Sequence, residues 1–214
     1  MIVTVNGQPI DVLELKIPID GLAFLPQMVD FNNDADWETF TRSCTEEVTE
    51  RDRGVVAAAV QEHMTDAIVE IGVGGIHRPL AGSFTQLLID AKPIHIPYLG
   101  IDCEDKSYLN NEIAKVYTVM AFSEEQAKIR SYMKEIGIEK ISILFIDGFH
   151  SINTVANDWL YTDLLSDDGI VIFHDTNYHP GPTIFVQAID RTKYRVEKHF
   201  EGQDDYGVAI AYKL

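Results

Sequence analysis

The sequence predicts an α/β fold: a doubly wound, mostly parallel sheet of about seven strands closing with an antiparallel C-terminal strand. Three features predict it. From Ala67 onward, short runs of apolar and β-branched residues alternate with segments of helical period. Several of those runs stop at a glycine or an acid, as buried parallel strands do where their carboxyl ends give way to loops. The last two runs, Tyr194 to Glu201 and Tyr206 to Tyr212, flank Gly202 to Asp205 in the manner of a hairpin.

Residues 1–15 read as a hairpin, because Asn6 and Gly7 supply the positive φ of a tight turn between Ile2 to Val5 and Ile10 to Leu13. Lys16 to Asn33 has no clear period and reads as a lid or a cover. Trp37, Phe40, Cys44 and Val48 are spaced as a helix that Asp34 or Asp36 caps. Residues 1–50 therefore form an N-terminal extension, and 51–214 the α/β domain. That domain opens with a helix from about Asp52 to His63, burying Val55, Val56, Ala59 and Val60.

Ala67 to Ile71 is a strand ending in glycines, Ser83 to Ala91 a helix, and Ile96 to Asp102 a strand ending in acid. A short helix near Tyr108 to Ala114 and a strand near Tyr117 to Ala121 follow. The next helix starts at Ser123, with Ile129, Tyr132, Met133 and Ile136 on one face. Ile141 to Asp147 is a strand, Thr154 to Leu165 a helix, Gly169 to Asp175 a strand and Thr183 to Arg191 a helix. Between the last two, His179 to Pro182 reads as a stiff irregular loop beside an acceptor pocket, or as a plain connector.

Lys+Arg 17 against Asp+Glu 34 gives a net charge of -17, which repels a nucleic-acid backbone, and no basic patch offsets it. No apolar run reaches membrane-spanning length, and the N-terminus lacks a signal-peptide pattern, so a cytoplasmic protein without membrane partners is expected. Cys44 and Cys103 read as reduced thiols, with a disulfide left open. The N-terminal hairpin is read either as a homo-oligomer contact or as a cover for the sheet.

Chemistry concentrates at strand ends. Glu70-Ile-Gly-Val-Gly-Gly75 follows the first strand of the sheet, where glycines let a ligand lie against bare backbone. It departs from the dinucleotide fingerprint, whose third glycine would fall at His77. Asp102 ends the second strand, where a carboxylate accepts from ribose hydroxyls; Glu104 and Asp105 are neighbouring alternatives. The stretch Ile76 to Gly82 reads as an insertion between these two motifs. Ser123 caps its helix, edges a ligand, or does both. Phe145-Ile-Asp-Gly-Phe-His150 and Phe173-His-Asp-Thr176 bring two acids and two histidines to one sheet edge.

Glu70-x-Gly-x-Gly-Gly75 resembles the first motif of class I S-adenosylmethionine-dependent methyltransferases. The Asp147/His150 and His174/Asp175 segments are similar to the subgroup with macrolide-sugar O-methyltransferases and cephalosporin-hydroxylase-like proteins. The resemblance covers roughly Val55 to the C-terminus. It implies a Rossmann-like methyltransferase fold with S-adenosylmethionine held by Glu70, Gly72, Gly74, Gly75, Asp102, Ser123 and Asp147. It further implies a divalent cation such as Mg²⁺ on Asp147 and Asp175, and His150 as general base. His174 stands where metal-dependent relatives often carry an acid, so it is a ligand of a softer metal or a packed strand-end residue. Phe149 replaces a polar residue of the family pattern. The expected activity is methyl transfer to an oxygen of a small hydroxylated molecule. A hydroxylase-like metal enzyme and a non-catalytic cofactor-binding module are the alternatives.

Overall fold

The computed structural model describes residues 2–5, 8–15, 19–23, 25–28, 48–74, 80, 82–177, 179–201 and 206–214. The turn at Asn6-Gly7, residues 37–47 of the expected helix, Gly75 and Tyr178 lie outside them. Strands β1 (Ile2–Val5), β2 (Gln8–Leu15) and β3 (Leu25–Met28) form a three-stranded antiparallel sheet. The register Val5↔Gln8 agrees with the expected hairpin.

The main sheet has seven strands: β4 (Ala67–Ile71), β5 (Tyr98–Asp102), β6 (Val116–Met120), β7 (Ile141–Ile146), β8 (Leu165–Phe173), β9 (Tyr194–His199) and β10 (Val208–Lys213). Their order is β6-β5-β4-β7-β8-β10-β9, parallel from β6 to β8, with β10 antiparallel to both β8 and β9. This is the doubly wound arrangement that the alternating pattern predicts. The chain reverses direction across the sheet at β4, so loops after β4 and β7 diverge and leave a crevice at the carboxyl edge.

The two faces explain why these strands read as continuous apolar runs. Val69, Ile71, Leu144, Ile146, Val171 and Phe173 face one core with α3 (Gln126–Glu135), α4 (Ile152–Asp158) and α5 (Pro180–Ala188). The alternate residues Ile68, Ile143, Phe145, Ile170 and Ile172 face the other with α1 (Glu50–Glu62) and α2 (Phe84–Ala91). With both faces covered, the usual polar half of a strand's alternation vanishes. A capping box closes α1, Thr49 accepting from Asp52 N and Asp52 accepting from Thr49 N.

Three local expectations are corrected. Pro180 starts α5 instead of preventing it, with His179 at the N-cap. The first helical turn needs no proline N–H, and the fixed φ suits it. Tyr108 to Ala114 is not an α-helix; only a 3₁₀ turn at Ser107–Leu109 forms. Ser123 does not cap α3, whose N-cap is Glu125, and Glu125 Oε1 instead accepts from Phe122 N at 2.9 Å.

Residues 19–23 are stitched to the end of α5. Ala23 N donates to Ala188 O at 2.7 Å and Asp190 N to Gly21 O at 2.9 Å. Trp159, fully buried, packs on Phe173, Phe185 and Tyr194 and donates from Nε1 to Asp20 O at 2.9 Å. Residues 19–23 thus pack against this face. No helix among the described residues is long and apolar enough to cross a membrane. Replacing Trp159 by Ala removes a buried indole and this tie together. Urea unfolding should show a loss of about 3–5 kcal/mol, and a change under 1 kcal/mol would contradict the packing described.

Candidate active site

Loops after β4, β5, β6, β7 and β8 open onto one cavity of about 1060 Å³. Gly72, Asp102, Ser123, Asp147, His150 and Asp175 all line it.

The glycine turn is fixed from three sides. Gly72 has φ 87°, and a Cβ there would lie 2.1 Å from Asp147 O, so only glycine fits between the β4 and β7 loops. Gly74 N donates to Thr85 Oγ1 at 2.8 Å, and Thr85 Oγ1 donates to Glu70 Oε1 at 2.8 Å. Tyr98 OH donates to the other Glu70 oxygen. Burial pushes Glu70 up to about 8 despite these two hydrogen bonds. Glu70 therefore holds the turn from beneath through Thr85. Its partners Thr85 and Tyr98 carried no local signal, because they come from other elements.

Asp102 is equally preset. Its Oδ2 accepts from Val73 N at 2.8 Å and its Oδ1 from Glu104 N at 2.7 Å, and the residue lines the cavity. Lys106, 4% exposed, reaches Glu104 Oε2 at 3.0 Å and lies 4.0 Å from Asp102 Oδ2, a buried charge the sequence did not reveal. Ser123 is buried, and its carbonyl accepts from Tyr161 OH at 3.0 Å.

The acid and histidine cluster lines the same cavity. Asp147 follows β7, and His150 is seated by α5, since a Cβ on Gly181 would lie 2.0 Å from His150 O. His174 and Asp175 follow β8. His174 Nδ1 lies 3.1 Å from Asp147 Oδ1 and 3.5 Å from Asp175 Oδ2. His150 Nε2 lies 2.6 Å from Asp175 Oδ2 and 3.9 Å from Asp147 Oδ1. His179 stacks on His150, centroids 4.0 Å apart and planes at 8°. Phe149, 76% exposed, stands at the cavity mouth.

Burial opposes the charged form of His150, but hydrogen bonding and Coulomb attraction from Asp147 and Asp175 outweigh it and push the imidazole up to about 9. Burial likewise opposes a charged His174, and Asp175 and Asp147 hold it well above the ordinary value. Asp175, which burial alone would raise, is held well below the carboxylate range by His174 and His150. His179 goes the other way, to about 4, through burial and then the charge on His150. Two carboxylates thus face two cationic imidazoles, with a neutral one stacked behind.

No family model and no curated protein matches the chain. Solved structures do. An O-methyltransferase from Bacillus cereus in complex with S-adenosylhomocysteine matches with a TM-score of 0.57 at 15% identity, over 85% of this chain and 86% of that one. TomG, an O-methyltransferase from Streptomyces achromogenes involved in tomaymycin synthesis and in complex with S-adenosylmethionine, gives 0.53 at 14% identity, over 78% and 81%. MycE, a methyltransferase of the mycinamycin pathway in complex with Mg, S-adenosylhomocysteine and mycinamycin VI, gives 0.54 at 16% identity over 75% of this chain. The present chain spans about half, 48%, of that protein. The likeness establishes the fold, a Rossmann-like class I methyltransferase fold with the sheet order given above.

The charge pairing has a pH signature. His150 and His174, raised from 6.5, add stability that is complete below that value; the His150 share is lost as pH rises through about 9. Asp175, lowered from 3.8, adds stability present above that value and lost in acid; it describes the same pairing and is counted once. Urea titrations should show the unfolding free energy falling between about pH 7 and 9.5, and falling less in His150→Gln. A fall of equal size in the variant would contradict the assignment.

Proposed function

We propose that this chain is a methyltransferase that moves the methyl group of S-adenosylmethionine to an oxygen of a small hydroxylated molecule. The observation that carries the reading is the shared cavity, lined both by the glycine turn and Asp102 and by the Asp147, His150, His174 and Asp175 cluster. The fold and the S-adenosyl ligands of the three similar structures support the cofactor.

In this reading Gly72 and Gly74 let the methionine part lie against backbone; Gly75 lies outside the described residues. Asp102, fixed by two backbone N–H groups, accepts from the ribose hydroxyls, and Ser123 edges the adenine. Glu70 acts through Thr85 and Gly74 without needing to touch the cofactor. Asp147, joined to Gly72 by the close backbone approach, links these two sets of lining residues.

Asp147, His174 and Asp175 are the residues that would hold a divalent cation, their donor atoms lying within 4.8 Å of one another. Such an ion supplies Lewis acidity, lowering the pKa of a coordinated hydroxyl. His150 accepts the acceptor's proton. Its value of about 9 reflects the two carboxylates beside it, so it is free to act as a base when they are engaged elsewhere. Methyl transfer then asks mainly for in-line positioning. The net charge of -17 favours a neutral or cationic small acceptor over a nucleic acid.

Calorimetry tests the cofactor directly: one S-adenosylmethionine should bind per chain, and Asp102→Ala should weaken it at least about tenfold, or ~1.4 kcal/mol. No binding at millimolar cofactor would sink the proposal. His150→Gln should leave cofactor affinity unchanged while slowing S-adenosylhomocysteine formation about 10²- to 10⁴-fold. Turnover of a hydroxylated acceptor without S-adenosylhomocysteine would favour the hydroxylase-like reading instead.

A further inference from the structure

Resting on the reading of this edge as a metal-assisted site, we infer that Asp147, His174 and Asp175 form a nitrogen-containing site selective for a transition-metal cation of the Mn²⁺, Fe²⁺, Co²⁺ and Zn²⁺ class over Mg²⁺. The donor set combines imidazole nitrogen with carboxylate oxygen. His174 turns Nδ1 toward both carboxylates, at 3.1 and 3.5 Å, while its Nε2 is buried with no hydrogen-bond partner among the described residues. Nδ1 is therefore the ring atom available to a shared ion. Mg²⁺ takes oxygen ligands and keeps its waters, whereas imidazole nitrogen with carboxylate oxygen suits the later divalent metals.

His174 and Asp175 leave the end of β8, where continued strand geometry would point them to opposite faces and away from one point. Asp175 adopts φ 61°, a left-handed conformation that is uncommon outside glycine, although aspartate tolerates it better than most residues. This turn brings its Oδ2 beside the ring of the preceding residue. The two separations from Nδ1 suit a coordination shell, because donors about 2.1 Å from one octahedral ion lie about 3.0 Å apart and those about 2.1 Å from a tetrahedral ion about 3.4 Å apart.

His174 is 3% exposed and Asp175 5% exposed. The His174 ring is held edge-on to Phe84 at 4.9 Å and stacked on Tyr206 at 6.0 Å. Buried, packed donors keep the imidazole in the set, so an ion that disfavours nitrogen is not given a purely oxygen alternative.

The test uses the full chain, stripped with chelator, and titrates MgCl₂, MnCl₂ and CoCl₂ by calorimetry, with the visible d–d absorption of Co²⁺ as a second readout. Circular dichroism checks the fold of each variant. Co²⁺ should bind at least about 100-fold more tightly than Mg²⁺, and His174→Asp should narrow that ratio at least about tenfold by raising Mg²⁺ affinity and lowering that of Co²⁺. His174→Ala, a second variant, should alter the Co²⁺ spectrum. Mg²⁺ affinity within threefold (about) of that of Co²⁺, a Co²⁺ spectrum unchanged in both His174 variants, or no cation binding at all would each overturn the inference. Cofactor binding is measured separately in chelator. Cofactor binding without any cation binding overturns only the metal inference, and selective Co²⁺ binding without cofactor binding upholds it while removing the methyl-transfer reading.

Discussion

Gly72 meets the carbonyl of Asp147 at a distance no side chain could share, and the site is organised around that contact. It joins the loops after β4 and β7, the central parallel pair, whose backbones are further tied by Asp147 N donating to Ile71 O at 2.9 Å. The turn that would receive a cofactor and the acid that begins the histidine cluster are thus one piece of structure. Position on one side sets position on the other, and this is the preorganisation a transfer between two bound molecules requires.

The cluster obeys a second constraint. Asp175 is buried, and a buried carboxylate is tolerated only with opposite charge or strong hydrogen bonds beside it. Here His150 and His174 supply that charge. The same histidines that satisfy the acids are the groups a base or a ligand would be drawn from, so the stability of the site and its chemistry compete for the same atoms. His179 is kept neutral by burial and by the charge of the ring it stacks on.

The sheet was readable because strands buried on both faces leave long apolar runs, and because glycine and acid mark where those runs reach the open edge. Asp102, Asp147, His150 and Asp175 were found for that reason, each lying at or just beyond a strand end. What escaped depended on distance in sequence or on position within a turn. Thr85 and Tyr98 complete Glu70 from two other elements, and Lys106 serves Glu104 and Asp102 across a loop. Pro180 misled because the residue that breaks a helix interior also starts one. Ser123 looked like the cap of a helix beginning at Glu124-Glu125, yet the helix starts at Gln126 and takes Glu125 as its N-cap.

The central claim is that cofactor turn and acid–histidine cluster serve a single reaction space. Nuclear relaxation reads this directly: the chain is loaded with S-adenosylmethionine and Mn²⁺, and the relaxation of the bound cofactor's S-methyl protons is measured with and without the ion. Strong paramagnetic enhancement is expected, and it should disappear in Asp147→Asn. Cofactor and ion bound together with no enhancement at the methyl group would contradict the claim.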